Sequence, residues 1–273
     1  MFIYTLCYSF LVNIINMPFD KGANIQGSKY AYINLKNELS FIKTNKVINI
    51  KNCDSTFYRN IFNDAFMGCW NALNEDKFPL LIGGDHSCVI SSIFASNEFC
   101  LMNKHNLGVI WFDAHADFNT IQTSSSRNIH GMPVSVLCGH TLPHLSYGQY
   151  LDSQQFIYYG IRDIDSQEFR RFQDYNMKFI DYKSLINYQI LELYNWMSNF
   201  DKIHVSFDMD CLDPKDFSAI NTPVKNGPNY QHIISILQEI KKSNKLISMD
   251  LVEYNPMINN NHSAVIDVLK QVF

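Results

Sequence analysis

Four short polar clusters in this sequence hold side chains that could do chemistry together: Gly83-Gly84-Asp85-His86-Ser87, Asp113-Ala114-His115-Ala116-Asp117, Asp208-Met209-Asp210 and Asp250-Leu251-Val252-Glu253. Residues two apart on an extended chain project to the same side, so Asp113, His115 and Asp117 can converge, as can Asp208 with Asp210. His86 supplies a sixth donor. Asp and His with no Cys among them form a hard oxygen-and-imidazole set, suited to manganese more than to zinc-thiolate chemistry. Four carboxylates gathered together would raise one another's pKa unless cations compensated them. Two divalent ions, roughly 3.5–4 Å apart as in two-metal sites, would do that and acidify a water held between them. Asp85 is expected to cap a helix. The remaining histidines, at 105, 140, 144, 204, 232 and 262, lack such company and read as surface or core.

Each cluster follows a short apolar run. The sequence predicts strands at Val47–Ile50, Leu80–Ile82, Val109–Phe112, Phe156–Tyr159, His204–Phe207 and Leu246–Met249, nearly continuous in apolar character, as expected of strands covered on both faces. Between them, Phe57, Ile61, Phe62, Ala65, Phe66, Cys69, Trp70 and Leu73 recur at helical spacing as a core stripe. Ile233, Ile234, Ile236, Leu237 and Ile240 mark another helix, entered after Gly227-Pro228-Asn229 and ending at Lys241-Lys242. Ser124-Ser125-Ser126 marks a polar loop. The alternation of strand and helix predicts an α/β protein with a parallel sheet, in which ligands bind beyond the carboxyl ends of the strands. One domain over residues 1–273 accounts for the length.

Composition narrows the function classes. A formal net charge of −4 with scattered lysines argues against a nucleic-acid partner. No run of 18 apolar residues predicts a membrane span. Met1–Met17 is apolar but lacks a cationic start and a small-residue cleavage site, and reads as a first buried strand rather than a signal peptide. Seven cysteines (7, 53, 69, 88, 100, 138 and 211), without a CxxC pair, read as buried reduced thiols of a cytoplasmic protein.

At these clusters the chain resembles the ureohydrolase family, which includes arginase, agmatinase and formimidoylglutamase. The likeness runs from Met17-Pro18-Phe19-Asp20-Lys21-Gly22 to Glu253-Tyr254-Asn255-Pro256. It is carried by Gly-Gly-Asp-His-Ser, Asp-Ala-His-Ala-Asp and Ser-Phe-Asp-Met-Asp-Cys-Leu-Asp-Pro. The resemblance implies a three-layer α/β/α sandwich with a mostly parallel eight-stranded sheet, and two Mn2+ ions held by His86, Asp113, His115, Asp117, Asp208 and Asp210. Within the family the arginase branch fits best, which implies hydrolysis of L-arginine to L-ornithine and urea.

By the same resemblance Asn119 and Ser126 would meet the substrate α-carboxylate, and Asp165 its α-amino group. Thr222 and Glu253 would line the guanidinium site, and His130 would shuttle protons. Asp117 would orient the attacking water and pass a proton to the leaving amine. Asp165 has a second reading, as the cap of a helix beginning near Ser166. Arg127, Asn221 and Cys211 stand where the family commonly has Gly; Asn is a residue that tolerates φ > 0 if the backbone requires it at 221. Alternatives are a relative acting on agmatine, formimidoylglutamate or another guanidino acid, or a non-catalytic member that binds an amino acid. The resemblance further implies a homo-oligomer, a trimer or hexamer.

Overall fold

A computed structural model describes residues 10–54 and 58–273. Residues 1–9, Cys7 among them, and the expected helix start at Phe57 lie outside the described residues. Eight strands form one sheet: β1 (Val12–Met17), β2 (Thr44–Asn49), β3 (Phe78–Gly83), β4 (Leu107–Phe112), β5 (Phe156–Tyr159), β6 (Lys178–Ile180), β7 (Lys202–Asp208) and β8 (Leu246–Val252). Their spatial order is β2-β1-β3-β8-β7-β4-β5-β6, and every pairing is parallel.

The helices divide between the two faces. Helices α1 (Ala31–Leu35), α6 (Ile186–Met197), α7 (Tyr230–Lys242) and α8 (Ser263–Val272) pack on one side, where Ile110, Phe112, Leu80 and Ile82 point. Helices α2 (Tyr58–Asn74), α3 (Val89–Met102), α4 (Pro133–Leu137) and α5 (Ser166–Asp174) cover the other, where Val109, Trp111 and Leu81 point. Successive strand residues thus enter opposite cores, the consequence of a two-residue period between two helical layers. The expected α/β/α sandwich is the observed architecture.

Two strands differ from expectation. The run expected at Val47–Ile50 belongs to β2, which begins three residues earlier, at Thr44, and ends at Asn49, and it is largely exposed rather than covered on both faces. It is an edge strand of Asn, Lys and Thr, and Asn45 Nδ2 donates to Asn13 Oδ1 of β1 at 2.8 Å while Asn16 Nδ2 donates to Asn49 Oδ1 at 2.9 Å. The opposite edge, β6, is three residues long and has too little apolar pattern to be read from sequence. The apolar N-terminal stretch delivers its expected strand as β1, buried at all but one position. The described cysteines are free, and all but Cys138 are buried. Among the described residues no helix is long and apolar enough to cross a membrane.

Candidate metal centre

The four polar clusters leave the carboxyl ends of β3, β8, β7 and β4, which are consecutive neighbours at the middle of the sheet although they are far apart in sequence. After β3 the chain turns tightly at Gly84, where a Cβ would lie 1.9 Å from the Phe19 carbonyl oxygen, so only glycine fits. Asp85 then caps the next turn as expected, accepting from Ser87 N at 3.0 Å, and its other oxygen takes the Gly22 N–H. That capped turn aims His86 back over the sheet. Asp117 (φ 50°) and Glu253 (φ 60°) both hold left-handed backbone, which costs of order 1 kcal/mol or more for a residue with a Cβ.

The structure brings the six candidate donors together. His86 Nδ1 lies 3.0 Å from Asp113 Oδ2, 3.0 Å from Asp117 Oδ2 and 2.9 Å from Asp208 Oδ2. His115 Nδ1 lies 3.0 Å from Asp210 Oδ2 and 3.3 Å from Asp113 Oδ1. Two donor groups result, His86–Asp113–Asp208 and Asp113–His115–Asp210, and Asp113 belongs to both. Asp113, Asp208 and Asp210 are all 2% exposed or less. Three carboxylates surround His86 Nδ1, yet it has no hydrogen-bond partner of proper alignment. Its Nε2 lies 2.9 Å from Ser206 Oγ; with Nε2–H donating there, Nδ1 keeps its lone pair facing the carboxylates. A lone pair and three carboxylate oxygens converging on one buried point are the donor arrangement of a divalent cation, so these residues fit the metal that their chemistry suggested.

Without a cation, protons take up part of that role. Burial alone would lower the His86 pKa, but Asp113, Asp117 and Asp208 outweigh it and hold it well above the usual histidine range; for His115, Asp210 and Asp113 do the same. Burial pushes the Asp117 carboxyl up to about 6, with the neighbouring Asp113 charge adding to the rise. Burial likewise raises Asp208 and Asp210. Asp113 goes the other way: despite burial, the two imidazoles beside it hold it below the normal carboxylate range.

Above the cluster is a cavity of about 250 Å³ lined by His86, His115, Asp117, Asn119, His130, Gly131, Asp163, Asp165, Glu168, Asp208, Asp210, Thr222 and Glu253. Glu253, 2% exposed, accepts His86 N–H through Oε1 at 2.9 Å. His130 Nδ1 stands 3.3 Å from the same oxygen, and Glu253 raises the His130 pKa to about 9 against the lowering effect of burial. Thr222 Oγ1 donates to Asp210 Oδ2 at 2.9 Å. Asp165 does cap α5, its Oδ1 accepting from Gln167 N and Glu168 N at 2.9 Å, while Oδ2 takes the Asn119 amide at 2.9 Å. The capping reading of Asp165 is thus observed, and its second oxygen lies in the cavity wall, hydrogen-bonded to Asn119. Ser126 and Arg127 do not join the cavity. Both are exposed, in a turn where Ser126 Oγ accepts from Asn128 N and Arg127 holds a left-handed φ of 59°.

Four residues near the site went unnoticed in the sequence. Ser206 and Trp111 support the donors from within β7 and β4, Trp111 Nε1 donating to Asp113 Oδ2 at 2.9 Å. Both lie two residues before a donor and so on its face, which was the available signal. Glu168 and Asp163 line the cavity; Glu168 accepts Phe118 N–H at 2.7 Å, and burial lifts its carboxyl to about 8.

Fold and site define the class first: an α/β/α sandwich whose central strand tips gather acids and imidazoles around a place for cations. A sequence profile of the Arginase family matches residues 12–272, and the chain belongs to that family. It is similar to the arginase of Staphylococcus aureus (strain MRSA252), 36% identical over 202 residues that cover 71% of this chain. It is also similar to that of Bacillus subtilis (strain 168), 32% identical over 200 residues covering 70% of this chain. Each match spans 66% of the relative's own length. Among solved structures, arginase from Bacillus subtilis superposes with a TM-score of 0.86 at 28% identity, covering 96% of this chain and 98% of that one. Entamoeba histolytica arginase in complex with L-ornithine gives 0.85 at 26%, covering 97% and 99%. Formimidoylglutamase from Bacillus subtilis shares the fold, with a TM-score of 0.79 at 19% identity and coverage of 97% and 87%.

Proposed function

We propose that this protein is an arginase, a binuclear manganese hydrolase that cleaves L-arginine to L-ornithine and urea. The observation that carries the reading is the pair of donor groups sharing Asp113 at the floor of a cavity whose wall presents Glu253. Two Mn2+ ions, one held by His86, Asp113, Asp117 and Asp208 and one by Asp113, His115 and Asp210, would supply an acidified water at neutral pH.

The chain's own residues do the rest. Glu253 offers a carboxylate to the planar guanidinium and holds it over the cluster. Asp117, within reach of the cluster and the cavity, would accept a proton at its Oδ from the acidified water and return it to the leaving amine. His130, partly exposed and beside Glu253, exchanges protons between the cavity and solvent. Asp165 and Asp163 make the rim acidic, which suits the substrate's α-ammonium, and Asn119 adds an amide donor for its carboxylate. The single continuous sheet and the family match over residues 12–272 support reading the chain as one domain.

A second reading rests on the rim. With Ser126 outside the cavity, its charged groups are acids, which also suits agmatine, whose far end is an ammonium without a carboxylate. Urea, ammonia and formamide release from arginine, agmatine and formimidoylglutamate by manganese-loaded protein separates these substrates. Urea from L-arginine with ornithine as co-product is expected, and His115→Asn and Asp117→Asn should each remove most of it. Near-wild-type urea release by either metal-replete variant contradicts the mechanism, and preference for agmatine contradicts the substrate.

A further inference from the structure

We infer that Asn221 is a positioning residue for Glu253, pinning the carboxylate in the one orientation from which it meets a guanidinium; the inference rests on the reading of Glu253 given above. Asn221 lies in the segment after β7 and is 8% exposed. Its Nδ2 donates to Glu253 Oε2 at 3.2 Å and to the Ile25 carbonyl at 3.1 Å, and its Oδ1 accepts from Asn255 Nδ2 at 2.7 Å. Asn255, fully buried, spends its other amide hydrogen on the Gln26 carbonyl at 3.1 Å, and its Oδ1 accepts from Met257 N at 2.9 Å.

Neither amide can be flipped. Asn221 Nδ2 faces two groups that only accept, and Asn255 Oδ1 faces a backbone N–H. The loop at 25–27 closes onto this pair because Gly27 holds φ 129°; a Cβ there would sit 2.3 Å from Asn255 Oδ1. Asn221 itself has no positive φ, so backbone tolerance does not account for an Asn here. Its side chain does.

Among the described residues, Glu253 Oε1 meets His86 N–H and the His130 imidazole, and Oε2 meets Asn221 alone. A carboxylate held at both oxygens keeps its remaining lone pairs pointing one way, so a planar cation binds without first ordering its partner. A neutral amide does this without adding a second positive group to a carboxylate that already has the His130 imidazole 3.3 Å from its Oε1.

The test uses manganese-loaded protein, with kcat and KM for L-arginine and the calorimetric Kd of guanidinium ion measured side by side. Asn221→Ala should raise both KM and the guanidinium Kd about tenfold, the scale of one charge-assisted hydrogen bond, with kcat within about twofold. Bound manganese should be unchanged. Asn221→Leu, which fills the space without a donor, should weaken guanidinium as Ala does; a space-filling role predicts near-wild-type binding. Asn255→Ala, which frees Asn221 to turn, should move both constants the same way and carries the test if Asn221→Ala fails to fold. If Glu253→Gln weakens guanidinium but Asn221→Ala and Asn255→Ala leave it within twofold, the role of Asn221 is refuted while that of Glu253 stands. If Glu253→Gln changes nothing, the reading of Glu253 fails and this inference goes with it.

Discussion

Replacing Ser206 by alanine should weaken one metal position and spare the other. Ser206 is fully buried, and its Oγ, 2.9 Å from His86 Nε2, fixes the tautomer that turns Nδ1 toward Asp113, Asp117 and Asp208. Alanine leaves a buried ring N–H without a partner, a loss of about 1–3 kcal/mol, or roughly 5- to 150-fold in an equilibrium constant. Supporting residues of this kind typically change metal affinity by about 10- to 100-fold, so both routes converge on a few tens. The other group loses no contact, since Asp113, His115 and Asp210 are held by Trp111, by the Thr222 hydroxyl and by backbone N–H groups. Calorimetric titration of Mn2+ into chelator-stripped Ser206→Ala should show two separated phases, one close to wild type. Equal weakening of both positions, or no weakening, would refute the assignment of Ser206 to His86.

The metal-free protein should lose stability as pH rises. His130 has a folded pKa of about 9, so its contribution is complete below the unfolded value near 6.5 and disappears as pH rises through 9; alone it amounts to up to ~3 kcal/mol. Glu168, raised to about 8, acts in the same direction because the folded state binds its proton more tightly, and Asp117, raised to about 6, has lost its contribution by about pH 6. Melting temperature in chelator should therefore fall from pH 6 to pH 9, whereas manganese affinity should rise with pH, because the imidazoles must give up their protons to bind it; a flat melting profile contradicts this. Elsewhere in β7, His204 Nε2 lies 2.7 Å from Asp250 Oδ2 with both side chains fully buried, and Ser96 Oγ completes the imidazole's contacts at 2.9 Å. Asp250→Ala leaves that buried imidazole without its carboxylate and should cost about 3–5 kcal/mol in urea denaturation of metal-free protein. A loss below about 1 kcal/mol would show that the pair is not a stabilising contact.

The central strands were legible because β3, β4, β5, β7 and β8 are buried on both faces and so written as apolar runs, and the donors because they follow those runs directly. The edges were less so: only the Val47–Asn49 part of β2 was read, since Thr44–Lys46 has no apolar pattern, and β6 is too short to leave one. Ser206 and Trp111 were readable in principle, since His204, Ser206 and Asp208 alternate onto one face, as do Trp111 and Asp113. Asn221 was not. Its role exists only once the loop at Ile25 and the end of β8 meet it, a convergence that no local spacing encodes. Ser126 shows the converse, a residue placed by resemblance that the turn at Arg127 directs to solvent.

Manganese stoichiometry in wild-type protein and Asp113→Asn, measured by elemental analysis after equilibration and gel filtration, tests the shared-carboxylate centre most directly. Two ions per wild-type chain are predicted, with both lost or greatly weakened in the variant, because Asp113 contributes an oxygen to each donor group. A single ion per wild-type chain, or a variant that retains two, would contradict a paired-cation site at the strand tips.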